Sequence, residues 1–204
     1  MKPTAIVAAA LYIMTLNAQG SHARAQQVEN SKPAEQSITP AQKYFTDVML
    51  VNQDGQQMRL YSDLIKGKVV VIIPFFTSCT GVCPVMNRNL AKIQDAIGDR
   101  LGKDIYLISI SVDPITDTPS RLKDYAVRFN ARPGWYFLTG KKENVDLALY
   151  KLGQKVEARE DHSNIMIIGN DRTGLWKKAF SLANTEELVK VVGSVADDKP
   201  SNSK

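Results

Sequence analysis

Lys68 opens the run Val69-Val70-Val71-Ile72-Ile73-Pro74-Phe75-Phe76, in which every residue but the proline is β-branched or aromatic. A run this short and this uniformly apolar is a strand buried on both faces, and such a strand needs a layer of helix on either side. Pro74 near its end implies a bulge or an exit from the ladder. Thr77-Ser78-Cys79-Thr80-Gly81-Val82-Cys83-Pro84 follows at once. Pro84 suits the first turn of a helix, which Met86, Leu90, Ile93 and Ile97 continue with one buried face. Central strand, turn and helix are thereby fixed in that order, and both cysteines of the chain sit in the turn.

The remaining pattern extends this unit in both directions. Residues 48–51 and 57–60 flank Asn52-Gln53-Asp54-Gly55, a hairpin signal built on Asp54 and Gly55. Residues 105–112 form a second long buried strand. Asp117-Thr118-Pro119 then supplies an N-cap and a first-turn proline for a helix through Leu122, Tyr125 and Phe129. Residues 135–138 read as a short strand, 142–152 as a helix and 165–168 as another buried strand. Asn170-Asp171-Arg172-Thr173-Gly174 turns the chain into a hairpin partner at 175–178, and Asn184 with Glu187 makes a capping box for a last helix ending near Val195. This order predicts an α/β fold: a mixed sheet flanked by helices, with an N-terminal β-hairpin. The cysteine-bearing helix start after the first central strand makes it thioredoxin-like.

A chain of 204 residues holds one domain with a full core. Met1, Lys2 and the apolar stretch from Ala5 to Leu16 read as the start of a secretory signal, with Ala23-Arg24-Ala25 as its cleavage box. The expected organisation is a signal peptide at 1–25, a flexible Gln-, Ser- and Pro-rich linker at 26–43, the domain at 44–196 and a polar tail at 197–204. The leader is short of the roughly 20 residues a spanning helix needs; a leader left uncleaved as an inner-membrane tether is the alternative. Both versions place the domain outside the cytoplasm, in a periplasm. In that oxidising space a lone cysteine pair could be structural, but a bridge closing so short a loop stabilises little. The formal charge of +5 falls to about +3 when the leader takes Lys2 and Arg24 with it, too mild a balance for a nucleic-acid binder.

Two thiols at a helix N-terminus meet unpaired N–H groups and the positive end of the dipole, which favour thiolate. In a helical turn residues four apart have Cβ atoms about 5–6 Å apart, beyond the roughly 3.5–4.5 Å of a disulfide. Gly81 and the position before Pro84 favour a loop instead, which keeps a reversible disulfide open. His22 lies in the leader, so His162 is the single histidine of the mature chain. A single histidine in a polar loop is more often exposed than a ligand, so position alone leaves redox chemistry and metal binding both open. Met86 shares the buried register of Leu90 and Ile93 and reads as core. Asp113, at the end of a central strand, is a candidate supporting residue; Trp135 and Trp176 read as packing, Lys177 and Lys178 as a solvated hairpin.

Cys79-x-x-x-Cys83-Pro84, Ser109-Ile110-Ser111-Val112-Asp113-Pro114, Asp117-Thr118-Pro119, Pro133-Gly134-Trp135, Leu138-Thr139-Gly140 and Asp161-His162-Ser163 occur in this order. Together, from about Tyr44 to Val195, they resemble the Sco/SenC family of copper-binding thioredoxin-fold proteins. The resemblance implies that Cys79, Cys83 and His162 hold copper, as Cu(I) and also as Cu(II); two sulfurs and one imidazole suit Cu(I), whereas structural zinc takes a fourth protein ligand. It implies a metallochaperone whose partner is the copper-receiving subunit of a respiratory oxidase, with other thiol proteins or copper donors as further partners. It also sets His162 where thioredoxins and peroxiredoxins place a cis-proline, with Asp161 or Glu160 to orient the ring. The family's usual Pro-Asp after the first cysteine is Thr80-Gly81 here. Two other functions remain open: a thiol–disulfide reductase with Cys79 as nucleophile, and a peroxidase suggested by Thr80-x-x-Cys83, although the proline of the peroxiredoxin motif falls at Phe76.

Overall fold

A computed structural model describes residues 40–155, 157–158 and 161–199. The expected signal peptide, the linker up to residue 39 and the tail from residue 200 lie outside the described residues. Helix α1 (Pro40–Phe45) takes in the last four residues of the expected linker. Ala41 and Phe45 pack onto the core, so burial rather than length holds this short helix. The hairpin follows as β1 (Met49–Asn52) and β2 (Gln57–Arg59). Asn52 Oδ1 accepts from the backbone of Asp54 and of Gln56, and Gly55 takes the positive φ that the turn requires. Leu60, expected in the second strand, instead starts a π-helical turn (Leu60–Ile65) that buries Leu60, Tyr61, Leu64 and Ile65.

Next come β3 (Val69–Phe75), α2 (Cys83–Ile97), β4 (Ile105–Ser111), α3 (Pro119–Val127), β5 (Trp135–Thr139) and α4 (Lys142–Lys151). The chain closes with β6 (Ile165–Asn170), β7 (Leu175–Phe180) and α5 (Thr185–Ala196). The strands form one mixed sheet, β2-β1-β5-β4-β3-β6-β7. β3 is parallel to β4 and antiparallel to β6, and β4 is parallel to β5. This is the thioredoxin-like arrangement expected from the sequence. Pro74 neither bulges nor leaves the strand: it pairs with Ile110 on β4, two residues past the last rung to β6 at Ile72, where a missing N–H costs that ladder nothing.

Alternation along β3 divides the core. Val69, Val71, Ile73 and Phe75 meet α2, α3 and α5 on one face, while Val70 and Ile72 meet α1, α4 and the π-helical turn on the other. The cap of α3 differs in detail from the expected one. Thr118 is the capping residue, accepting from Arg121 N–H, and Asp117 is turned inward and fully buried.

Candidate metal centre

β3 carries the chain to the end of the sheet, where Phe76 is still buried and Thr77 turns away from the strand. Cys79 N–H donates to Phe76 O at 3.2 Å, closing a tight turn that leaves Cys79 half-buried. Cys79 therefore lies ahead of the helix, so the helical spacing argued against a disulfide does not apply to the pair. Gly81 stands clear of its surroundings: a Cβ there would meet nothing within 4 Å. Cys83 is the first residue of α2, with Pro84 in the first turn as expected, and its side chain is 0% exposed.

β6 brings the third group. It lies beside β3 and runs the opposite way, so the segment entering β6 arrives at the end of β3 that leads to Cys79. His162 sits on that segment, 7% exposed, with its ring edge-on to Phe76 at 5.5 Å between centroids. Its Nε2 lies 3.1 Å from Cys83 Sγ, and its Nδ1 lies 3.4 Å from Ser163 O. One donor atom from each of Cys79, Cys83 and His162 falls within 4.8 Å of the others, so the three residues singled out in the sequence are brought together. The described backbone contains no cis peptide bond, and His162 approaches the cysteines on an all-trans segment.

Burial sets the protonation of the metal-free site. Cys83 is held far above its ordinary value by burial first and then by its hydrogen bond with the Cys79 side chain. The dipole of α2 does not overcome this, which corrects the expectation of thiolate for Cys83. His162 is pushed below its ordinary value by burial, partly offset by the Ser163 carbonyl, so the neutral imidazole is favoured. A bound cation reverses the sulfur balance, because a coordinating thiol gives up its proton. Two sulfurs with a neutral imidazole nitrogen form a soft donor set that fits Cu(I).

Other sequence candidates fall differently. Among the described residues, Ser163 O approaches the Nδ1 edge of the ring; Asp161 is exposed, and Glu160 lies outside the described residues. Met86 is buried in the core as expected. Asp113 Oδ1 accepts from Thr116 N–H, which closes the turn after β4. Trp176 packs against Phe45, whereas Trp135 does more than pack: its indole N–H donates to Ser109 Oγ at 3.1 Å. Ser109 in turn donates to Asn87 Oδ1 at 3.2 Å, and Asn87 Nδ2 donates to Cys83 O at 2.9 Å. Asn87 carried no signal in the sequence, and Ser109 and Asp117 stood there only as parts of motifs, Asp117 as a cap. Two serines in an otherwise apolar strand were the available signal.

The SCO1/SenC family model matches residues 36–196. The SCO1 protein homolog of Bacillus subtilis is 35% identical over 94 residues, 46% of this chain and 47% of the relative, so the match spans about half of that protein. BsSco, a member of the Sco family of cytochrome c oxidase assembly proteins in which a disulfide switch was identified, superposes with a TM-score of 0.62 at 27% identity, over 76% of this chain and 94% of its own. ScoI of Arabidopsis thaliana, solved with copper bound, shares the fold with a TM-score of 0.63 at 24% identity, over 76% of this chain and 99% of its own.

Proposed function

Because this chain belongs to the SCO1/SenC family, we propose that it is an extracytoplasmic copper metallochaperone. It takes up Cu(I) through Cys79, Cys83 and His162 and delivers it to the dinuclear copper site of a respiratory oxidase. The observation that carries this reading is the convergence of two sulfurs and one imidazole nitrogen within 4.8 Å on segments 79 residues apart. Packing alone gives no reason for so soft a donor set at one point, whereas copper uses all three atoms. Cys79 and His162 line a shallow, open concavity with Phe76, Ser78, Thr80, Gly81 and Val82. A ligand of the acceptor can enter there and displace the donors one at a time. Membership of the family supports the destination, and the short apolar run expected to be a secretory leader supports the compartment.

The asymmetry of the pair favours a second activity in the same protein, reduction of a target disulfide. Both cysteines are free; Cys79 is half-exposed and Cys83 buried beneath it. Cys79 thiolate attacks one sulfur of the target, the target S–S bond breaks, and a mixed disulfide forms. Cys83 then attacks Cys79 Sγ, its proton passing to the target sulfur that leaves, which releases the target as a dithiol and leaves this chain oxidised by two electrons, with a Cys79–Cys83 disulfide.

A competition titration against a Cu(I) chelator tests the site, using reduced wild-type and His162→Ala proteins side by side. Loss of the imidazole weakens copper binding beyond the roughly 10–100-fold typical of groups that only support a ligand, while disulfide formation persists. Cys79→Ser or Cys83→Ser abolishes both activities. Indistinguishable affinities would remove His162 from the site and leave the reductase as the function.

A further inference from the structure

Asp117 is 0% exposed, and the groups that donate to its carboxylate, from Thr77 and Ser111, are all neutral. Thr77 Oγ1 donates to Oδ1 at 2.5 Å, Thr77 N–H donates to Oδ2 at 3.1 Å, and Ser111 Oγ donates to Oδ2 at 2.6 Å. A buried carboxylate is costly unless donors saturate it, and a capping role does not account for it here, because Thr118 performs that task. What the carboxylate does hold is Thr77, two residues before Cys79. The far end of the cysteine loop is held in the same way, by Asn87 gripping Cys83 O. Both struts end on β4: Asp117 on Ser111, Asn87 on Ser109. These serines are two apart on one strand, hence on one face, and both are fully buried.

We propose that Asp117 is a positioning residue that fixes Cys79 relative to Cys83, with β4 as the common reference for both ends of the loop. The inference rests on the reading of the pair as the working site. It assigns to a side chain outside the donor set the task of keeping the two sulfurs at a spacing that serves both a shared metal and a disulfide.

The test uses Asp117→Asn, which keeps the shape but turns an acceptor into a donor, together with Thr77→Val and Thr77→Ser. Two quantities are measured: copper affinity by chelator competition, and the equilibrium in which the dithiol gives two electrons and two protons to glutathione disulfide, which leaves as two molecules of glutathione. Asp117→Asn and Thr77→Val should each move that equilibrium at least tenfold, about 30 mV for a two-electron couple. They should also weaken copper binding by roughly 10–100-fold. Thr77→Ser keeps the hydroxyl and should restore both values. A folded Asp117→Asn protein with both quantities within about twofold of wild type overturns the proposal. If that variant fails to fold, equal values for Thr77→Val and Thr77→Ser overturn it instead. A wild type that refuses copper while the glutathione equilibrium still shifts in the variants sinks the copper reading and leaves the positioning role standing.

Discussion

Cys83 and His162 face each other at 3.1 Å, and burial moves them in opposite directions. His162 sits below its ordinary 6.5, so the unfolded chain takes a proton that the native site refuses; stability is complete above that pH and falls as pH drops through it. Cys83 sits above its ordinary 9.0, so its contribution is complete below 9.0 and is lost as pH rises past it. Urea unfolding of the reduced, metal-free protein should therefore show a plateau between these values, with His162→Gln flattening the acid limb and Cys83→Ser the alkaline one. Exposure differs as well: Cys79 is half-buried and Cys83 is not exposed at all. Brief alkylation at neutral pH followed by peptide mass analysis should label Cys79 ahead of Cys83; equal labelling would contradict the asymmetry. The convergence of Cys79, Cys83 and His162 was legible in the sequence because the cysteines stand together at a helix start and the family motifs set His162 beside them. The supporting roles of Asp117, Asn87 and Ser109 were not, because the contacts that tie them to other elements reach 22 to 40 residues along the chain, and alone each looks like ordinary cap, surface or strand polarity.

At the scale of elements, β6 matters most, since it carries the histidine segment, and it tolerates little change where it meets β7. A Cβ on Gly169 would lie 2.2 Å from ring atoms of Trp176, which is itself held against Phe45. Gly169→Ala should cost about 1–3 kcal/mol through overpacking, read as a lower urea midpoint with an unchanged slope; a midpoint equal to wild type would mean that the indole swings away freely. The long elements were readable because their patterns are long. β3 announces itself by uniform burial, and α2 by Met86, Leu90 and Ile93 on one face. The π-helical turn and α1, six residues each, fit too little of any period to be seen, and tertiary packing of Leu60, Leu64, Ile65 and Phe45 decides them.

Over the whole molecule, copper binding and folding are linked, since the donors converge only in the native sheet. Cu(I) at about 100 times its dissociation constant should add about 2.7 kcal/mol to the reduced protein, a rise of roughly 5–10 °C in melting temperature for a domain of this size. The oxidised protein should melt at the same temperature with or without copper. A matching rise in both forms would mean that copper binds somewhere other than the thiols. The antiparallel pairing of β6 with β3 also sets a schedule for the newborn chain. Its two thiols emerge long before the imidazole of His162, which follows Cys83 by 79 residues, and until β6 docks the cysteines lack that partner. The imidazole thus joins the sulfurs late in maturation, and an unfinished chain offers two thiols where the finished one offers a three-atom site.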